Sequence, residues 1–131
     1  MKTAKNLFAA LVMATSLVSG YAYAGQNTYI CTIGASSIVD SKGLTSFGNE
    51  IFVGKQFFVD RSTGKMIGEP INTNGYVTQV ISSAVSGDAF QMVAINQFRT
   101  AMYLGIQDFA DGVDKPFVLA GWLMVYSGSC Q

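Results

Sequence analysis

Two cysteines, Cys31 and Cys130, stand near opposite ends of a chain of 131 residues. A bond between them would make spatial neighbours of the first and last structural elements, whatever lies between. Whether it forms depends on the redox compartment, and the start of the chain speaks to that. Lys2 and Lys5 give a positive start, Leu7 to Val18 is apolar apart from Thr15 and Ser16, and Ala22-Tyr23-Ala24 is a small-x-small cleavage site. This is the pattern of an export signal over residues 1–24, removed before Gly25. The competing reading, a membrane anchor, needs roughly 20 apolar residues, more than this core supplies. Gly25 rather than a cysteine follows the cleavage site, which argues against a lipid-anchored start. The chain has no Asn-x-Ser/Thr sequon, which fits a bacterial periplasm. A periplasmic or secreted location is expected, and with it one Cys31–Cys130 disulfide. A closed loop of about 100 residues is worth on the order of 4–5 kcal/mol in the chain-entropy account. A redox or metal role is disfavoured, because there is no Cys-x-x-Cys spacing and no histidine.

Residues 25–131 have the length of one small domain with a single core. Six Lys/Arg face eight Asp/Glu in it, an excess of two negative charges. No basic patch offers itself to a phosphate backbone, so nucleic acid is not an expected partner. Few charges and many Phe, Tyr, Val and Ile residues suit a β-rich domain with a filled interior.

The clearest local signal is Lys55–Gly68. Gln56-Phe57-Phe58-Val59-Asp60 is a strand with Phe57 and Val59 on one face. Asp60-Arg61-Ser62-Thr63-Gly64 has the chemistry of a type I turn closed by a left-handed glycine, with Asp60, Thr63 and Gly64 as its turn residues. Lys65-Met66-Ile67 returns as a second short strand, ended by Gly68-Glu69-Pro70. An Asp60–Arg61 catalytic pair is the sharper reading, but turn chemistry explains Asp60, Thr63 and Gly64 together.

Elsewhere, Tyr29–Ile33, Tyr76–Ile81, Ala89–Asn96 and Ala101–Ile106 alternate as strands, although Ala89–Asn96 fits a helical period about as well. Phe117–Tyr126 is a near-continuous apolar run, expected as one central strand buried on both faces. Residues 34–48 read either as a short strand plus loop or as one irregular connection, with Ser41–Asn49 as a binding loop or a solvated one. Asp108, Asp111 and Asp114 form an acidic loop whose spacing is not that of an EF-hand calcium site. The sum is an all-β domain: a small antiparallel β-barrel or β-sandwich of six to eight strands, its first and last strands linked by the disulfide. An outer-membrane barrel is disfavoured by the polar stretches 34–49 and 72–79, and no membrane span is expected after residue 24.

Without histidine there is no Ser-His-Asp triad and no conventional zinc site, and bridged cysteines leave no thiol nucleophile. No glycine loop has the spacing that cradles phosphate. The expectation is a non-enzyme without a cofactor. Two classes remain. The favoured one, because it asks less of the sequence, is a protein-interaction module of the cell envelope, an inhibitor or accessory subunit. The other is a small barrel carrying an apolar or amphipathic ligand, with Phe57, Phe90, Tyr103 and Trp122 as its aromatic lining. The plainer reading of each of those four is core filling. A cavity would favour the carrier; a filled core and an exposed apolar patch would favour the module.

Overall fold

The computed structural model describes residues 27–46, 50–84 and 87–131. The export signal expected over 1–24 and residues 47–49 of the Ser41–Asn49 loop lie outside them. The described part is all-β, with nine strands: β1 (Thr28–Asp40), β2 (Gly43–Ser46), β3 (Gln56–Asp60), β4 (Met66–Gly68), β5 (Tyr76–Ser83), β6 (Phe90–Asn96), β7 (Ala101–Ile106), β8 (Lys115–Gly121) and β9 (Met124–Cys130). They form one antiparallel sheet in the order β4-β3-β1-β9-β8-β7-β6-β5, curled into a half-barrel, with β2 on β1 beside β3. Cys31 and Cys130 are direct cross-strand partners, and their disulfide ties the first strand to the last.

Nine strands exceed the expected six to eight, for two local reasons. The apolar run Phe117–Tyr126 is not one strand but the facing halves of β8 and β9, which turn at Trp122–Leu123. Nor is it buried on both faces: Phe117 and Leu119 point inward and Val118 is exposed. The second reason is β2, which pairs with the far end of β1 from Ser37↔Ser46 to Asp40↔Gly43, so residues 41–46 form a hairpin rather than a loose loop. Ala89–Asn96, ambiguous by period, is strand β6 from Phe90.

β1 runs thirteen residues because a bulge at Gly34 lets it bend with the sheet. The bulge also switches its inward face. Tyr29, Cys31 and Ile33 point inward before it, Ser36 and Ile38 after it. Gly128 lies against this bulge, where a Cβ would overlap the Thr32 carbonyl.

The core divides along the barrel. One end is packed with rings: Tyr29 against Phe90 and Phe57 against Phe117, each pair with centroids 5.3 Å apart. Beyond the rings, Arg61 lies over the Tyr29 ring at 4.7 Å and pairs with Asp108 at 3.1 Å, while the Tyr29 hydroxyl donates to the same carboxylate at 2.9 Å. Burial, and then this bond to Asp108, push the Tyr29 phenol well above the ordinary tyrosine range. This end of the half-barrel is closed.

The outermost strands, β4 and β5, share no ladder. Side chains bridge them instead. The Thr78 hydroxyl donates to the Thr63 carbonyl at 2.7 Å, buried Thr73 exchanges hydrogen bonds with the Met66 backbone, and Arg61 donates to the Ser83 carbonyl at 3.3 Å.

Candidate functional site

At the other end the core is hollow. Aliphatic and methionine side chains surround the hollow together with Tyr76 and Tyr126, the Tyr126 ring meeting Phe52 edge-on at 6.0 Å, and none of them crosses the space between. Four segments frame it: the end of β1, the connection after β4 that contains the cis Glu69–Pro70 peptide, the β6–β7 turn at Thr100, and the β8–β9 hairpin. The cavity measures about 510 Å³ and opens to solvent at the barrel mouth. That is within the usual size of small-molecule sites, roughly 300–1,000 Å³.

The walls follow from strand parity. Leu119 of β8 and Tyr126 of β9 are directly paired and both face in. Ile38 joins them only because the Gly34 bulge turns it inward. Ile71, Met102 and Met124 complete the apolar lining. Met102 reaches across Gly121, its direct cross-strand partner, where a Cβ would meet the Met102 Cγ at 2.6 Å. The absence of a side chain at Gly121 therefore sets where Met102 lies in the wall.

Four polar side chains converge on the same space: Asn72, Tyr76, Thr100 and Tyr126. Asn72 is engaged in its own turn, its Oδ1 accepting from the Asn74 amide at 2.8 Å. Tyr126 is the most enclosed. Burial pushes its phenol above the ordinary range, so it is neutral at physiological pH. Its hydroxyl contacts the Met124 sulfur at 3.5 Å, a weak acceptor, which leaves the oxygen lone pairs for a donor on a ligand. An apolar pocket with a few fixed polar groups and no charged side chain in its wall suits an uncharged or amphipathic molecule with its apolar part inside.

The four aromatics expected to line a ligand site separate. Trp122 stands at the mouth of the cavity, 80 % exposed. Phe57 and Phe90 are wholly buried in the filled end and take the core-filling role. Tyr103 lies on the outer face of the sheet, its hydroxyl folded over Gly105. Sequence does not single out Ile38, Leu119, Met124 and Tyr126, because their inward direction depends on the bulge and on the β8–β9 turn, nor Ile71, which lies in the connection between β4 and β5 where no strand alternation applies.

Asp60 and its neighbours form a turn. Its Oδ1 accepts from the Ser62 hydroxyl at 2.6 Å, the Ser62 amide at 2.8 Å and the Thr63 amide at 3.0 Å, and these bonds hold the carboxyl below the usual carboxylate range. Gly64 has φ 72°. Arg61 pairs with Asp108 instead of acting with Asp60. Among the described residues no group of His, Cys, Asp or Glu is arranged to hold a metal ion. Asp108 is engaged by Arg61 and Tyr29, and Asp114 accepts from Gln131 at 2.9 Å.

No protein-family model matches the chain, and no curated protein or solved structure matches it.

Proposed function

We propose that this chain is a non-catalytic binding protein of the periplasm or extracellular space that holds one small apolar or amphipathic molecule in the open end of its half-barrel. The observation that carries the proposal is the division of the interior: rings and an ion pair close one end, while the other keeps a hollow of about 510 Å³. The apolar portion of the ligand lies against Leu119, Ile71 and Met102, and a polar group reaches Tyr126 or Thr100. The disulfide is compatible with an oxidising, exported location, in keeping with the export signal expected from the sequence.

Native mass spectrometry of protein purified gently from its own source tests this. The expected result is a small-molecule adduct of constant mass that Leu119→Phe abolishes by filling the hollow. Should that variant misfold, Ile38→Phe at the mouth serves the same purpose. A bare chain from the native source that also fails to bind a single-chain amphiphile such as dodecanoate would overturn the proposal.

A second reading, the protein-interaction module, draws on the outer face. Val77 pairs across strands with Ile95, both exposed, and Tyr103 and Val118 continue the apolar surface over β7 and β8. Every charged residue among the described ones lies in a connection or at a strand's first or last residue, so no charge interrupts this face. Affinity capture that retains one stoichiometric protein partner, and loses it on Val77→Lys, would favour the module over the carrier.

A further inference from the structure

We infer that the open end of the half-barrel docks on a lipid surface with anionic headgroups, through the tips of three hairpins. The inference does not require the cavity to be occupied, although the same tips frame its mouth.

The first tip is the β8–β9 turn, Gly121-Trp122-Leu123-Met124. Trp122 has φ 55°, a left-handed conformation that glycine adopts freely and bulky side chains resist. A two-residue hairpin with positive φ at its first central position favours glycine there. The chain places a tryptophan at that position and exposes 80 % of it. Backbone strain and an exposed indole are both costs to the folded monomer, and neither serves its core. Such an outlier points to a role outside the fold.

The second tip is the β6–β7 turn. Phe98 is 79 % exposed and the next residue, Arg99, also has positive φ, 61°. Thr100 of this turn and Trp122 line the same mouth, which places the two tips side by side. The third is the β1–β2 hairpin with Lys42 and the 68 %-exposed Leu44. The Val39 amide of this hairpin donates to the Leu123 carbonyl at 2.7 Å, so it flanks the first tip. Together the tips carry Trp122, Leu123, Phe98 and Leu44, with Lys42 and Arg99 among them.

Charge is distributed to match. Lys42 and Arg99 are exposed and stand without a carboxylate partner among the described residues. Asp40, the carboxylate on these tips, is turned into its own hairpin and accepts from the Lys42 amide at 2.7 Å and the Thr45 hydroxyl at 3.0 Å. Asp60, Asp88, Asp108, Asp111 and Asp114 lie at the opposite, closed end with Arg61, Lys65 and Lys115, whereas Glu69, beside the cavity-lining Pro70, and Lys55 lie toward the open one. The closed end keeps an excess of acids, so the field favours turning the open end, with Lys42 and Arg99 at its tips, to a negative surface. Indole and guanidinium groups side by side are also what a bilayer interface accommodates: the ring enters the headgroup region and the cation stays with phosphate.

A lipid fits these tips better than a folded partner does. The tips stand around a hollow. A rigid surface laid across them would leave that hollow as a void unless it carried a matching knob, whereas fluid acyl chains fill irregular space.

The test uses the intact oxidised chain and its single tryptophan, Trp122, which reports on the tip itself. The protein is titrated with vesicles of phosphatidylethanolamine and phosphatidylglycerol, and separately with phosphatidylcholine vesicles. The expected result is a blue shift of Trp122 emission on the anionic vesicles, quenching by brominated acyl chains, and weakening at high salt. The double variant Phe98→Ser with Leu123→Ser should lose roughly tenfold or more of its vesicle partition while keeping its melting temperature. Leu119→Phe, which fills the cavity, should dock as the parent does, so failure of ligand binding and failure of docking are read separately. Unchanged emission at saturating lipid, with the protein left in the supernatant, would overturn the inference. So would a Trp122 shift that follows protein concentration and not lipid, because the tips would then be meeting a second copy.

Discussion

The Thr78 hydroxyl donates to the Thr63 carbonyl over 2.7 Å, joining the β3–β4 turn to β5 across a line where no strand ladder runs. The curl of the sheet depends on such side-chain bonds, because β4 and β5 are its two outer strands. Thr78→Val keeps the shape of the side chain and leaves the carbonyl without this donor. The expected loss is about 1 kcal/mol, read from urea unfolding, with faster amide exchange confined to the β4–β5 side.

Two glycines are expected to be intolerant for different reasons. Gly64 has φ 72°, and a Cβ there would meet the Met92 Cε at 3.1 Å, so Gly64→Val should destabilise by roughly 1–2 kcal/mol from backbone strain alone. Gly128→Ala sets a methyl group on the Thr32 carbonyl beside the Gly34 bulge. Its cost should be larger, about 3 kcal/mol, since backbone must move on both strands. Equal melting temperatures for parent and Gly128→Ala would mean that the bulge is not pinned there.

Stability should fall at both extremes of pH. The Tyr29 and Tyr126 phenols are raised in the folded state, so their protonated forms are favoured there. The contribution is complete below the unfolded tyrosine pKa of about 10 and is lost as pH rises beyond it. Asp60 is shifted the other way by the Ser62 and Thr63 bonds. Its contribution is present above the unfolded carboxylate pKa of about 4 and disappears as pH falls below that. Urea midpoints measured from pH 3 to pH 11 should show both limbs. Tyr29→Phe should flatten the alkaline one, and Asp60→Asn the acid one.

Both sulfur-bearing residues of the disulfide are fully buried. Folded protein should therefore keep the bond in dithiothreitol at neutral pH and lose it on adding urea, as followed by thiol alkylation and intact mass. Replacing Cys31 and Cys130 together by Ala should cost about 2–5 kcal/mol. Rapid alkylation of the native state without denaturant would contradict the buried placement.

Local chemistry made the β3–β4 hairpin legible in the sequence. Asp60, Thr63 and Gly64 announce their turn whatever surrounds them, and β3 has the residue bounds expected of it. The β8–β9 hairpin was illegible for the opposite reason. Its turn is Trp122–Leu123, with no Asn-Gly or Asp-Gly pair, so two facing strands look like one long apolar run. The Gly34 bulge hid a second fact. Simple alternation from Tyr29 would send Val39 inward, whereas Ile38 is the residue that lines the cavity.

The cavity was obscured by the same two features. Aromatic residues drew attention as lining, but Phe57 and Phe90 are what fill the other end. Much of the hollow's wall is ordinary aliphatic and methionine side chains, which carry no signal of their own. Only Trp122 stood out in the sequence and also stands at the site.

The pairing of Cys31 with Cys130 has a kinetic consequence. β5 to β9 are joined by successive hairpins, whose contacts are close in sequence and inexpensive in loop entropy. β1 meets β9 across a separation of 99 residues at the disulfide. The meander should therefore assemble first and offer the edge of β9 as a template for β1. In that order the covalent link seals a ladder already in register. An oxidant added after collapse should give the native bond without help from an isomerase.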